Sequence, residues 1–364
     1  MYIPIEELKK ATALTREGKL MEATAAIQRA LGASRGPDAY GYAPLPPVPT
    51  LHTAEVHEAG EVTDVEFRER TPGRPTAPEA AFESHRFASG GRSYAYRLYL
   101  PPRRDDQPLP VLVMLHGCTQ DASDFAAGTA MNDLAAQRGF IVVYPEQLAR
   151  SNSMRCWNWF EPAHQRRGQG EPAMIAALAM QVAQRCNGDP RRIYVAGLSA
   201  GGAMATLVGQ LYPEVFAAVG VHSGLPAGIA RDVQSAQAAM RKPARGASAP
   251  AAPGAPVPTI VFHGRSDRTV HPDNGRRIAE EAAARASAAG IVLAREDQRL
   301  ATGRPATRTV YKDSQGVSRV EHWEIAGAAH AWSGGSAGGT YTDPAGPGAS
   351  AAMMDFFQSH RLGD

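Results

Sequence analysis

Between residues 94 and 327, short apolar or β-branched runs recur between turn residues: "YAYRLYLP", "VLVMLHG", "FIVVYPE", "RIYVAGLS", "AAVGVHSG", "TIVFHGRSD" and "VEHWEIAG". Alanine-rich stretches of helical spacing alternate with them. This alternation predicts an α/β fold, a mostly parallel central sheet flanked by helices, whose middle strands are apolar throughout because both faces are buried. In such sheets chemistry gathers at the carboxyl ends of the strands.

The flanks are patterned differently. Residues 1–33 carry two apolar stripes, Ile5 and Leu8, then Leu20, Ala23, Ile27 and Leu31, broken at Gly18, which predicts an N-terminal helical hairpin. Its stripe packs on the main body or, through residues 4–32, docks to a partner or the surface of an apolar polymer granule. Residues 34–80, with "YGYAPLPPVPT" and "TPGRPTAP", read as a Pro/Gly-rich linker. Residues 81–364 form the α/β domain, in which the tract 242–258, "KPARGASAPAAPGAPVP", reads as a low-complexity loop insertion. Such a segment cannot build a large helical lid, so an open cleft is expected.

Charge and cysteine content narrow the function. With 38 basic and 36 acidic side chains in 364 residues, the net charge of +2 gives no long-range field for nucleic acid or anionic membrane. No window approaches a membrane span. The first twenty residues lack the apolar core of a signal peptide, so a native start at residue 1 predicts a cytoplasmic protein, and a chain trimmed of its leader a secreted one. Three cysteines do not make a disulfide scaffold, and no C-x-x-C or H-x-x-x-H spacing suggests a metal. No cofactor is expected either.

The chemistry centres on "YVAGLSAGGAM". Gly197-Leu198-Ser199-Ala200-Gly201 forms a G-x-S-x-G pattern between a strand at 192–196 and a helix at 202–212, as a nucleophile elbow requires. Small residues two before and two after the serine avoid clashes between crossing chains, and Gly202 lets the helix approach closer. The base and its orienting acid should follow, acid first. Asp267 lies just beyond the end of "TIVFHG", and His330 lies in the loop after "VEHWEIAG". Asp273 competes as the acid but has a helix-start explanation. His322 sits within a strand and His271 precedes a helix, where a structural hydrogen bond is the default role, whereas His263 and His222 lie in or near strand ends and could touch the site, a satisfied histidine behind it being the expected role of each. The oxyanion donors are the amides of Ala200, after the nucleophile, and Cys118, after "VLVMLHG".

Together the runs "LHGCTQDASDFA", "YPEQ", "RCWNWF", "GQGEPAMI", "GLSAGGAM", "HGRSDRTVHP" and "HAWSGG" with "GTYTDPAGPGAS" resemble the polyhydroxybutyrate depolymerase family of esterases, over about residues 85–360. The resemblance implies an α/β-hydrolase fold, a carboxylic-ester hydrolase without metal or cofactor, and a triad on Ser199, Asp267 and His330. It leaves the ester open: a polyhydroxyalkanoate or its oligomers, or a feruloyl, acetylxylan or small soluble ester. A granule-binding protein with secondary hydrolase activity is the alternative of another class. Trp157 and Trp159, in "RCWNWF", and Trp332 are candidate substrate contacts, with core packing the alternative for each. Cys118 and Cys156 fall in family motifs. A disulfide between them would rigidify the site, the cytoplasmic reading argues for free thiols, and both states stay open, with Cys186 free in either. Oligomeric state is not legible.

Overall fold

The computed structural model describes residues 81–103, 105–242, 256–301 and 303–363. The expected hairpin at 1–33, the linker at 34–80 and most of the 242–258 insertion lie outside these residues. Of two units, Met1–Arg74 and Pro75–Asp364, the described residues all belong to the second.

Along the chain come β1 (Ala81–Ser89), β2 (Arg92–Leu100), β3 (Leu109–Leu115), α1 (Ala122–Thr129), α2 (Met131–Arg138), β4 (Ile141–Pro145), α3 (Gly170–Arg185), β5 (Gly188–Leu198), α4 (Ala200–Leu211), β6 (Ala218–His222), α5 (Val233–Arg241) and β7 (Thr259–Gly264). There follow α6 (Asp273–Ala288), β8 (Ala294–Leu300), β9 (Ala306–Lys312), β10 (Ser318–Ile325), the short strands β11 (Trp332–Ser333) and β12 (Thr342–Asp343), and α7 (Ala349–Gln358).

A ten-stranded sheet runs in the order β1-β2-β4-β3-β5-β6-β7-β10-β9-β8. From β4 to β10 every neighbour is parallel; β1, β2, β8 and β9 add antiparallel margins. Successive strand residues point to opposite faces, so each central strand feeds two cores. Val111, Val113 and Leu115 of β3 join Ile193 and Val195 of β5 with Met174 and Leu178 of α3, Met204 and Leu207 of α4, and Ile278 of α6. Leu112 and Met114 join Tyr194, Ala196 and Leu198 with Phe125 of α1, Met131 of α2, and Met353 and Phe357 of α7. Burying each Leu or Val is worth about 1.5–3 kcal/mol. A one-residue slip of β5 would send each side chain to the wrong core, which is how the pattern fixes register.

The seven foreseen strands are present as β2 to β7 and β10. β1, β8 and β9 were not foreseen. In β8, "AREDQRL", six of seven residues are exposed, so no apolar alternation marks it. Cross-strand polar pairs stabilise it instead, Thr309 Oγ1 donating to Asp297 Oδ1 at 2.6 Å and Lys312 Nζ to Glu296 Oε2 at 2.7 Å. A charged edge strand also discourages further sheet pairing.

Candidate active site

Ser199 links β5 to α4 with φ 57° and ψ −118°, a conformation that costs a residue with a side chain. The backbone holds it there: Ser199 N donates to the His222 carbonyl at 2.9 Å, and Ala203 N donates to the Ser199 carbonyl at 2.9 Å. A Cβ on Gly201 would overlap the Leu115 carbonyl oxygen, and one on Gly197 would overlap the Gly201 backbone. The crossing of β3, β5 and α4 therefore demands both glycines, and it lifts the serine side chain to the carboxyl edge of the sheet.

The acid and the imidazole come from two neighbouring strands. Beyond β7, Ser266 N donates to the Ala328 carbonyl at 3.0 Å and Arg265 N to that of Ile325 at 2.8 Å, which zips the β7 loop to the loop after β10. This brings Asp267 Oδ2 to 2.7 Å from His330 Nδ1. Asp267 Oδ1 accepts the Thr269 and Val270 amides, each at 2.9 Å. Burial pushes the Asp267 carboxyl upward, but the His330 charge and hydrogen bond, with the His263 N–H close by, outweigh it, holding the group well below the usual carboxylate range. An ionised carboxylate only accepts, so the His330 proton belongs on Nδ1 and the Nε2 lone pair is left to act as a base. No hydrogen bond joins Nε2 to the Ser199 hydroxyl among the described residues; such contacts commonly tighten only with substrate bound.

The amides can be sorted by what they already bond. In the loop after β3, Gly117 N donates to Gln120 Oε1 at 2.9 Å, Thr119 N to the Met154 carbonyl at 2.7 Å, and Gln120 N to the Gly117 carbonyl at 3.3 Å. Among the described residues the Cys118 N–H has no acceptor. Ala200, at the start of α4, likewise has no preceding turn to bond. The loop adjoins the serine, since a Cβ on Gly117 would lie 3.7 Å from that of Ser199. Two unclaimed N–H groups thus flank the elbow.

A disulfide joins Cys118 to Cys156, and Cys186 is free. Sequence reasoning missed what anchors the far end. Buried Glu171, at the start of α3, accepts the Asn158 N and Nδ2 groups, each at 2.8 Å, and also Gln147 Nε2. Gln147 Nε2 in turn reaches the Cys156 carbonyl at 3.0 Å. The signal was an acidic residue inside the motif "GQGEPAMI", quoted above but given no role.

The three tryptophans require correction as substrate contacts. Trp157 is fully buried and its Nε1 donates to the His116 carbonyl at 3.1 Å. Trp332 is buried between His222 and Phe125, with Nε1 bonded to Ser350 Oγ at 2.9 Å. Trp159 packs edge-on against Phe160, only 5% exposed. Each indole is spent on the core. Asp273 opens the first turn of α6, in keeping with its helix-start explanation, and pairs with Arg276 at 2.8 Å rather than making a side-chain cap bond.

The remaining histidines are structural neighbours. His222 Nε2 accepts the Ser333 amide at 2.9 Å while its carbonyl takes the Ser199 amide, so it braces the serine strand against the His330 loop. Burial drives its pKa well below the ordinary value, with His263 and His330 adding to the effect. His322, inside β10, is pushed down to about 3, chiefly by burial. His271 is exposed, 3.7 Å from Asp273. Among the described residues no group of three or more His, Cys, Asp or Glu could hold a metal ion.

A serine elbow at the carboxyl edge of a parallel sheet, with an acid and an imidazole following in that order, defines a protein of the α/β-hydrolase fold. The acetyl xylan esterase from Aspergillus awamori shares it, with a TM-score of 0.56 at 21% identity over 73% of this chain and 94% of that one. Within this class the chain belongs to the family described as esterase PHB depolymerase, whose model matches residues 93–295. It is 36% identical to poly(3-hydroxyalkanoate) depolymerase C of Paucimonas lemoignei over 247 residues, 65% of this chain and 56% of that protein. It is also 36% identical to feruloyl esterase B of Thermothelomyces thermophilus over 140 residues, 38% of this chain and 47% of that protein. The chain spans about half the length of these curated relatives.

Proposed function

We propose that residues 81–364 form a serine carboxylesterase domain acting by two-step acyl transfer. His330 Nε2 takes the Ser199 proton as Oγ attacks the ester carbonyl, and the tetrahedral oxyanion accepts the Cys118 and Ala200 amides. The tetrahedral intermediate collapses to an acyl-serine, with His330 returning the proton to the leaving alkoxide. Water, deprotonated by the same imidazole, releases the acid and restores the serine, while Asp267 holds the Nδ1–H tautomer and stabilises the imidazolium. The observation that carries this reading is the 2.7 Å Asp267–His330 pair at the sheet edge that also bears the strained serine.

For substrate we favour a polyhydroxyalkanoate ester or its oligomers, from the relative aligned over the greater length. The matching feruloyl esterase favours a second reading, a feruloyl or acetylxylan-type soluble ester. The granule-binding alternative depends on residues 4–32, outside the described residues. A disulfide in the site favours an oxidising compartment and argues against the cytoplasmic expectation. No helix among the described residues is long and apolar enough to cross a membrane.

The test is Ser199→Ala in the full chain, assayed on p-nitrophenyl butyrate, then a panel of hydroxybutyrate oligomers, feruloyl esters and acetyl esters with the native protein. Activity should vanish in the folded variant, and oligomers should give the highest kcat/KM. Substantial activity without the Ser199 hydroxyl would refute the mechanism; a preference for feruloyl or acetyl esters would move the substrate to the second reading.

A further inference from the structure

Asp267 is approached by two imidazoles, and the mechanism uses one. His263, the penultimate residue of β7, is buried with its Nε2 2.9 Å from the Val270 carbonyl and 3.3 Å from Asp267 Oδ2, the oxygen that meets His330. A carbonyl only accepts, so Nε2 carries the His263 proton and directs it at Val270 O with Asp267 Oδ2 alongside. Val270 N returns a bond to Asp267 Oδ1 at 2.9 Å. Imidazole, peptide and carboxylate thus close a ring. Asp267 cannot turn about its Cβ–Cγ bond without disturbing contacts on both oxygens.

The other face of the imidazole is equally constrained. Among the described residues His263 Nδ1 is buried without a partner, and it faces Gly275 of α6, where a Cβ would stand 2.6 Å from it. The helix therefore has a glycine where the ring needs room, and a second proton on the ring would meet no acceptor. Among the described residues, the titratable groups that act on or through it are His222 on β6, His322 on β10 and the Asp267–His330 pair, with Glu324 its register partner on β10 and Arg276, beside Gly275 on α6, acting on His322. Of these, Asp267 alone lies within reach of its Nε2 proton. A histidine present only to fill space would require neither a directed donor nor a glycine opposite.

We propose that His263 is a positioning residue for this reaction. It clamps the Asp267 carboxylate through Val270 and opposes part of its charge, so that Asp267 orients His330 without binding its charged form too tightly. The inference rests on the Ser199–His330–Asp267 reading above. Losing one oriented donor should lower kcat about tenfold and leave KM nearly unchanged. The less neutralised carboxylate then holds the imidazolium harder, moving the acid limb of kcat/KM about half a pH unit upward.

The experiment measures kcat, KM and the pH profile on p-nitrophenyl butyrate for His263→Leu and His263→Gln, with Ser199→Ala as control and thermal unfolding as the check on folding. The Leu variant should show both changes, and the Gln variant, whose amide N–H reaches Val270 O, should recover most of each. Where His263→Leu does not fold, His263→Asn, too short to reach that carbonyl, replaces it. An unmoved acid limb in a folded Leu or Asn variant, or a Gln variant as impaired as Leu, overturns the proposal. Activity surviving in Ser199→Ala would instead overturn the reading beneath it.

Discussion

On the amide side of the site, the loop after β3 is held by a disulfide, by the Thr119–Met154 backbone bond and, beyond Cys156, by buried Glu171. On the acid–base side there is no covalent tie: two loops are zipped by backbone bonds, and one carboxylate gathers His330, His263 and two amides. The difference follows from the parts. A backbone N–H is aimed only by fixing the chain that bears it, whereas an imidazole has to be steered by hydrogen bonds that also set where its proton sits. Rigidity is therefore concentrated where peptide groups must point, and polar tuning where protons must move.

Four perturbations should separate the two sides. The largest is Asp267→Asn, which leaves both cores untouched but removes the tautomer control of His330; kcat on a soluble ester should fall about 10⁴-fold with circular dichroism unchanged. Next is the pair Cys118→Ser with Cys156→Ser. For a loop closed across 38 residues, unfolding free energy should drop by about 4 kcal/mol in chemical denaturation. Rate should fall about 10- to 100-fold, with the pH profile unmoved. A shifted profile there would mean the two sides are not independent.

The third perturbation is acid. His116, His222 and His322 all titrate in the folded protein below the ordinary 6.5, burial being the leading cause in each. Between the folded and unfolded values the unfolded chain binds the extra proton, so stability is complete above pH 6.5 and lost as pH falls toward 3. Each group contributes up to about 1.4 kcal/mol per pH unit. Asp267, depressed below 3.8, adds a loss of the same sign at still lower pH. Melting temperatures should decline from pH 7 to 5, and less steeply in His322→Leu. The smallest effect is Trp332→Phe, which deletes the bond to Ser350 and should cost about 1 kcal/mol. Rate ratios across the ester panel should not change, whereas an altered ratio would restore Trp332 as a substrate contact.

What could be read from the chain alone was whatever periodicity or motif order encodes. The strand, elbow and helix around Ser199 follow from an apolar run and two glycines, and the places of Asp267 and His330 follow from strand ends. β8 was illegible because its polar residues are paired across to β9 rather than buried. The tryptophans misled because proximity in sequence to a reactive residue does not report which way an indole points; Trp332, two residues after His330, turns inward to His222. Glu171 gains no role from the chain alone, and His263 none beyond that of a satisfied histidine beside the site, for a further reason. Each acts through partners distant in sequence or through a turn, and no spacing rule describes a carboxylate that gathers donors from separate loops.

The bond between Cys118 and Cys156 also bears on how the protein is prepared. Protein made in a reducing cytosol will carry both cores and the elbow, yet lack the staple on the loop that presents the Cys118 amide. Two samples differing only by the hydrogens of two thiols would then be indistinguishable by size and unequal in turnover. Thiol content belongs beside concentration whenever rates from different hosts are compared.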